Sequence, residues 1–169
     1  NYSKKRLNDK GHENSFFENE GWGSAFLSTT GVSQVDLATP NKENSGPDAQ
    51  ISTRYLTDLY THHISISMNG NEVAVDSVPN SSVRAFGFSL PVADLAATNT
   101  LKWQGAAGIV FDRTSIGTAS VSYPHTLDFE GKNYFELGLN GTSGGKKYLE
   151  VTGFDGNNGE PIFYDFAQN

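Results

Sequence analysis

Aromatic side chains with polar neighbours are the most suggestive chemical feature of this sequence. Trp22 stands between two glycines, Trp103 stands between Lys102 and Gln104, and Tyr55 has a cationic and an acidic residue nearby. A sugar ring has an apolar face that stacks on aromatic rings, and its hydroxyl groups bind polar side chains. These residues therefore predict a carbohydrate site. Its expected ligand-binding residues are Trp22, Trp103, Tyr55, Arg54 and Asp58.

Oxygen-bearing side chains gather in a glycine-rich turn later in the chain. Asp155, Asn157 and Glu160 lie there within six residues. Because Ca²⁺ takes about six to eight oxygen ligands, this turn predicts calcium as a candidate cofactor held by these three residues. The complete calcium-loop pattern is absent, since Gly156 comes too early and no glutamate stands at the required offset. The alternative interpretation is a plain turn between strands.

Catalytic signatures are missing from the sequence. It contains no Gly-x-Ser-x-Gly, no phosphate-binding loop and no His-Glu-x-x-His. The absence of cysteine excludes disulfides, thiolate metal sites and a cysteine nucleophile. We therefore assign no catalytic residue. An enzyme acting on polysaccharides remains a third hypothesis, with acids drawn from Asp58, Asp128 and Glu130.

The charge balance excludes some classes of partner. The 169 residues include 12 Lys and Arg against 19 Asp and Glu, for a net charge of −7. Without a basic excess we expect no nucleic-acid partner, and without an apolar run of about 18 residues we expect no membrane-spanning helix. Residues 1–14 are polar and locally basic, so we predict a flexible arm there and a single β-sandwich domain over 15–169.

Short alternating segments dominate the rest of the chain. Ile64, Ile66 and Met68 alternate with serines and precede Asn69-Gly70, a pair that predicts a β-hairpin over 62–77. Pro91 opens the only predicted helix, over 91–97. Turn residues separate about ten predicted short strands, which favours a sandwich over alternating strands and helices. The other strands are expected near 32–37, 83–90, 102–104, 107–111, 115–123, 132–139, 148–152 and 162–166.

The expected fold is therefore all-β: an antiparallel β-sandwich of jelly-roll or Greek-key type with at most one short helix. The favoured function is that of a secreted or cell-surface binding module for carbohydrate recognition or adhesion. The alternative is a structural or assembly subunit of an extracellular matrix, pilus or virion. Its self-association would use the arm at 1–14 and an edge strand at 162–166. The expected partner is a carbohydrate or another protein subunit.

Overall fold

The structure is a computed structural model of the chain. It describes residues 5–6, 22–27, 30–57, 61–79, 82–105, 113–136, 148–156, 159–160, 162 and 164. Strands and a single 3₁₀ turn, Val92–Asp94, are the regular elements within these ranges. The strands are β1 (Lys5–Arg6), β2 (Trp22–Gly23), β3 (Val32–Ala38), β4 (Ala49–Thr57), β5 (His62–Met68), β6 (Asn71–Val78), β7 (Ser82–Leu90), β8 (Thr98–Gly105), β9 (Thr114–Ser122), β10 (Asp128–Lys132) and β11 (Thr152–Phe154).

The chain divides into two compact units, Asn1–Pro124 and His125–Asn169. This boundary falls inside the range for which the sequence predicts one domain. Most of the predicted flexible arm lies outside the described residues. Within it, Lys5 and Arg6 form β1 and pair antiparallel with β2, so at least this part of the arm has a strand partner.

Besides the β1–β2 pair, two larger antiparallel sheets build the first unit. Sheet A has the strand order β3-β8-β5-β6, and sheet B has the order β7-β4-β9. Their inner faces supply one shared core, with Ile64, Ile66 and Leu101 from sheet A and Ile51 from sheet B. The predicted all-β antiparallel sandwich is confirmed.

The hairpin β5–β6 forms where the Asn-Gly pair predicts it. Asn69 has φ +52° and Gly70 has φ +85°, the left-handed values that a tight hairpin turn requires. Ile64, Ile66 and Met68 point into the core, while the intervening serines face outward. The period-two pattern therefore fixes which face of β5 is buried.

The predicted helix over 91–97 is only the 3₁₀ turn Val92–Asp94. An α-helix would need the Ala96 N–H to donate to the Val92 carbonyl, but that N–H donates to Asn99 Oδ1 at 2.8 Å. The Lys42 ammonium also donates to the Val92 carbonyl at 3.0 Å and to the Ala93 carbonyl at 3.2 Å. Side chains outside the predicted segment therefore take the groups that a helix would use.

The second unit departs most from the expected strands. Residues 133–136 and 148–151 are not in strands, and neither are the described residues 162 and 164 of the predicted final strand. Positive φ at Glu130 and Gly131 turns the chain after Phe129. Phe135 then stacks on Phe129 with 4.7 Å between ring centroids. This ring contact replaces the predicted strand extension, and β10 instead pairs with β11 in parallel.

A three-residue polar link joins the two sheets of the first unit. Asp76 on β6 accepts a hydrogen bond from the buried Tyr55 hydroxyl of β4. Arg84 on β7 donates to the same carboxylate through Nε at 3.1 Å and through its second guanidinium nitrogen at 3.0 Å. Burial, followed by the Asp76 hydrogen bond and charge, raises the pKa of Tyr55, so the hydroxyl keeps its proton.

We expect this link to make stability sensitive to acid. Burial raises the pKa of Asp76, but the Arg84 and Tyr55 hydrogen bonds outweigh burial and leave that pKa below its ordinary value. A group with a lowered folded-state pKa stabilises the fold above its unfolded pKa of about 3.9, and this stability is lost as pH falls through the folded value. Asp76→Asn should therefore lower stability at pH 7 and flatten its decline below about pH 4.

Denaturant unfolding of the wild type and of Asp76→Asn between about pH 2 and pH 7 measures this effect. Asp48→Asn is the control, because it removes an acid on the exposed surface. Equal acid sensitivity in the wild type and in Asp76→Asn would contradict the role assigned to Asp76.

Candidate binding face

The alternation of β8 decides where its side chains lie. Trp103 is 1 % exposed and points into the core, whereas Lys102 and Gln104 on either side point outward and are partly exposed. Successive side chains of a strand face opposite sides of a sheet, so Trp103 cannot share a surface with its two neighbours. The stacking role predicted for Trp103 is therefore corrected: its ring is part of the core.

The same alternation separates the predicted pair on β4. Tyr55 is 0 % exposed and faces inward, where its hydroxyl binds Asp76. Arg54 faces outward from sheet B and is partly exposed. Tyr55 is therefore also corrected from a stacking platform to a core residue, while Arg54 stays a surface residue.

Two further predicted ligand-binding residues remain predictions. Asp58 lies outside the described residues, and only the backbone of Trp22 is described, within β2. In the described part of the chain, the predicted carbohydrate residues do not come together on one surface. The rings of Trp103 and Tyr55 are buried and cannot stack on a sugar.

The outward side of sheet A carries a broad set of polar side chains, which we call the polar face. Its members combine amides, hydroxyls, carboxylates and one ammonium group. They are Gln34, Asp36, Ser65, Ser67, Glu72, Thr100, Lys102 and Gln104.

Strand register places Lys102 and Gln104 in the middle of the polar face. Lys102 lies opposite Gln34 on β3 and opposite Ser67 on β5. Gln104 lies opposite Ser65 on β5. Side chains directly opposite one another have Cβ atoms about 4.5–5.5 Å apart, so the Lys102 row forms a continuous line of polar groups that ends at Glu72 on β6. The Gln104 row is shorter, because the exposed Val32 and Val75 lie at its two ends.

Hydrogen bonds fix the two carboxylates of the polar face. Ser65 Oγ donates to Glu72 Oε2 at 2.6 Å, and Thr100 Oγ1 donates to Asp36 Oδ1 at 2.8 Å. A carboxylate has two oxygens with several lone pairs, so each group can still accept from a ligand. The polar face therefore offers two positioned carboxylate acceptors as well as the donors of Lys102 and Gln104.

The outer side of sheet B is also polar, with smaller side chains. Gln50 and Ser52 on β4 are exposed there, as are Thr118 and Ser120 on β9. Arg54 is the cation on this side. A matched cation and amide are thus available on each sheet, which provides a control surface for mutagenesis.

The residues predicted to hold calcium do not form a metal centre within the described structure. Asp155 is half-buried, Glu160 is exposed, and Asn157 lies outside the described residues. The described residues contain no group of three or more His, Asp or Glu side chains that could hold a metal ion. Because Asn157 lies outside the described residues, calcium binding by this turn stays a prediction.

The acids of the enzyme hypothesis lie partly in the second unit. Glu130 Oε1 is 3.3 Å from His125 Nε2, and Glu130 Oε2 is 2.5 Å from Lys132 Nζ. The Lys132 hydrogen bond, with a further contribution from His125, lowers the pKa of Glu130. A carboxylate held in its ionised form is poorly suited to act as a general acid.

Sequence reasoning missed both the polar face and a set of exposed rings. The alternation of polar and apolar residues over 32–37 and 102–104 is the signal that could have identified the polar face, because it places Trp103 on the opposite side from its neighbours. In the second unit, Tyr134, Tyr148 and Tyr164 are 69 %, 88 % and 74 % exposed. Their apolar neighbours led to predicted strands, so no signal in the sequence separated them from core residues.

Comparisons with known proteins identify a fold and no family. No protein-family model and no curated protein matches the chain. Dimeric latent PorU from Porphyromonas gingivalis is similar in structure, with a TM-score of 0.54 and 16 % identity over 65 % of this chain. The matching region is 11 % of PorU, so the chain spans about a tenth of that protein's length.

Two smaller solved structures are also similar. A family 35 carbohydrate-binding module from an environmental isolate has a TM-score of 0.47 and 11 % identity, covering 71 % of this chain and 84 % of the module. Carbohydrate-binding module CBM36, in complex with calcium and xylotriose, has a TM-score of 0.47 and 12 % identity. The match covers 71 % of this chain and 99 % of that module. At these identities the likeness to solved structures concerns the fold alone.

No helix among the described residues is long and apolar enough to cross a membrane.

Proposed function

We propose that this chain is a carbohydrate-binding module whose ligand lies on the polar face of sheet A. The observation that carries the proposal is the central pair Lys102 and Gln104, flanked across the strands by Gln34, Ser65 and Ser67. Sugar hydroxyl groups both donate and accept hydrogen bonds. The polar face presents donors and acceptors side by side, which suits such a ligand.

The dimensions of the face favour an oligosaccharide. Neighbouring strands of a sheet are about 4.8 Å apart, so a row across the strands of sheet A is roughly 14 Å long. That length exceeds a single sugar ring. A polymeric ligand also accords with an extracellular or cell-surface setting, which forms part of this proposal.

We expect the full chain to bind glycans in an array screen. Removing the central pair in Lys102→Ala/Gln104→Ala should weaken the affinity for the selected glycan by at least about tenfold, since hydrogen bonds from charged groups contribute about 1.5–3 kcal/mol each. Isothermal titration calorimetry measures the affinity. Screening in Ca²⁺ and in EGTA tests the calcium prediction in the same experiment.

The matched control is Arg54→Ala/Gln50→Ala, which removes a cation and an amide from the outer side of sheet B. It should bind the glycan as the wild type does. The reverse pattern would move the site to sheet B. An array with no bound glycan in either buffer would argue against carbohydrate binding.

A further inference from the structure

Strand β3 is an edge strand of sheet A. In the part of the chain that the structure describes, β3 pairs with β8 on one side and with no strand on the other. Its inward residues Val35 and Leu37 pack on the core but remain only partly buried. Val32, at its start, is 50 % exposed.

Two backbone hydrogen bonds show which groups of β3 face the open edge. Gly105 N donates to the Gly31 carbonyl at 3.2 Å, and Thr39 N donates to the Ala97 carbonyl at 2.9 Å. In an antiparallel ladder, hydrogen-bonded residues alternate with residues whose N–H and C=O groups point the other way. The backbone groups of the intervening residues therefore point to the open edge, and these residues are Val32, Gln34, Asp36 and Ala38.

Two other edges in this unit are interrupted or covered, whereas edge strand β7 pairs with β4 over nine residues without a register shift. Strand β6 has a register shift in its pairing with β5. Part of β9 is covered, because Ser24 N donates to the Ile116 carbonyl and Leu27 N donates to the Thr114 carbonyl. Strand β3 pairs with β8 over seven residues without a register shift, and it contains neither Lys nor Pro. Apart from the charge of Asp36, it thus lacks the usual features that prevent edge pairing.

The outward side chains of β3 are complementary to themselves when its sequence, Val-Ser-Gln-Val-Asp-Leu-Ala, is reversed about Val35. Gln34 then lies opposite Asp36 of a second copy, so an amide donor meets a carboxylate at two symmetric places. Val32 lies opposite Ala38 in the same arrangement. Centring the pairing on Asp36 would instead oppose two like charges. The charges therefore favour the register centred on Val35 over the one centred on Asp36.

We propose that two copies of this chain pair antiparallel through β3, with Val35 opposite Val35 of the second copy. The open-edge groups of Val32, Gln34, Asp36 and Ala38 form the hydrogen-bonded pairs of this interface. Val35 is a non-hydrogen-bonded pair, in agreement with its backbone groups facing β8. The two polar faces then lie on the same side of one continuous sheet. The pairing does not depend on the carbohydrate proposal.

Cysteine cross-linking tests the register directly, because the chain has no cysteine of its own. A non-hydrogen-bonded antiparallel pair has a Cα separation of about 4.5 Å, within the range of a disulfide. Val35→Cys should therefore form a covalent dimer on mild oxidation. In Ser33→Cys, the matched control on the same face, the two cysteines would be about 13 Å apart and should not cross-link.

Two charge variants separate an interface effect from a folding effect. Gln34→Glu opposes Asp36 of the second copy, so sedimentation equilibrium should show a dissociation constant raised about tenfold. Gln34→Lys should lower it by a similar factor. Within one copy, residue 34 lies beside Lys102. Gln34→Glu should therefore raise the thermal stability of the monomer, and Gln34→Lys should lower it.

Three results would overturn the proposal. The first is a wild-type chain that stays monomeric up to millimolar concentration, together with a Val35→Cys variant that forms no cross-link. Ser33→Cys cross-linking as efficiently as Val35→Cys would exclude the register. Equal dissociation constants for Gln34→Glu and Gln34→Lys dimers would place the contact elsewhere on the molecule.

Discussion

Trp103→Ala is expected to lower the free energy of unfolding by about 3–5 kcal/mol, the usual cost of removing a large ring from a core. Trp103 is 1 % exposed and belongs to the core cluster that both sheets supply. The cost combines lost apolar burial with the cavity left between the sheets. Chemical denaturation of the wild type and the variant measures it.

Trp103→Phe and Lys102→Ala are the controls for this experiment. Trp103 Nε1 is buried without a hydrogen-bond partner among the described residues, so phenylalanine loses volume but no hydrogen bond. Trp103→Phe should therefore lower the free energy of unfolding by clearly less than Trp103→Ala does. Lys102→Ala, one position away but outward, should change stability by less than about 0.5 kcal/mol. A stable Trp103→Ala that has lost glycan binding would instead restore the stacking role.

Asn99→Ala is expected to lower the free energy of unfolding by about 2–4 kcal/mol, because it removes a fully buried amide together with the hydrogen bonds that this amide makes. Asn99 is 0 % exposed. Its Nδ2 donates to Thr39 Oγ1 at 2.9 Å and to the Ala96 carbonyl at 3.0 Å. Its Oδ1 accepts from Ala96 N at 2.8 Å and from Asn69 Nδ2 at 2.9 Å. One amide thus ties three loop segments to β8.

The neighbouring variant Thr100→Ala is the control, since the Thr100 hydroxyl faces outward and binds Asp36 on the surface. It should cost less than about 1 kcal/mol. Hydrogen exchange should also show faster exchange of the Ala96 N–H in Asn99→Ala than in Thr100→Ala. A similar loss of stability in both variants would contradict the network assigned to Asn99.

The sequence was most informative where local patterns determine structure. The Asn69-Gly70 turn and the alternation of β5 act over a few residues, and both are found as predicted. The helix predicted over 91–97 does not form, because the side chain of Asn99 accepts the Ala96 N–H that the helix would need. Asn99 lies beyond the predicted segment, so the local pattern did not reveal this contact. The Tyr55–Asp76 bond joins residues 21 positions apart on different sheets, which no local pattern reveals.

The proposed binding face does not contain the aromatic rings from which the sequence predicted a carbohydrate site. The residues beside Trp103 suggested sugar binding, yet strand alternation places the ring and its polar neighbours on opposite faces of sheet A. In the second unit, the positive φ of Glu130 and the stacking of Phe135 on Phe129 override strand-like composition. Non-glycine residues rarely take positive φ, so composition could not predict that turn.

Calorimetric titration of an array-selected glycan into the wild type, Lys102→Ala/Gln104→Ala and Arg54→Ala/Gln50→Ala tests the central claim most directly. We predict that the first variant loses at least about tenfold in affinity while keeping its fold, and that the second binds as the wild type does. Unchanged affinity in Lys102→Ala/Gln104→Ala would contradict the assignment of the polar face as the carbohydrate site.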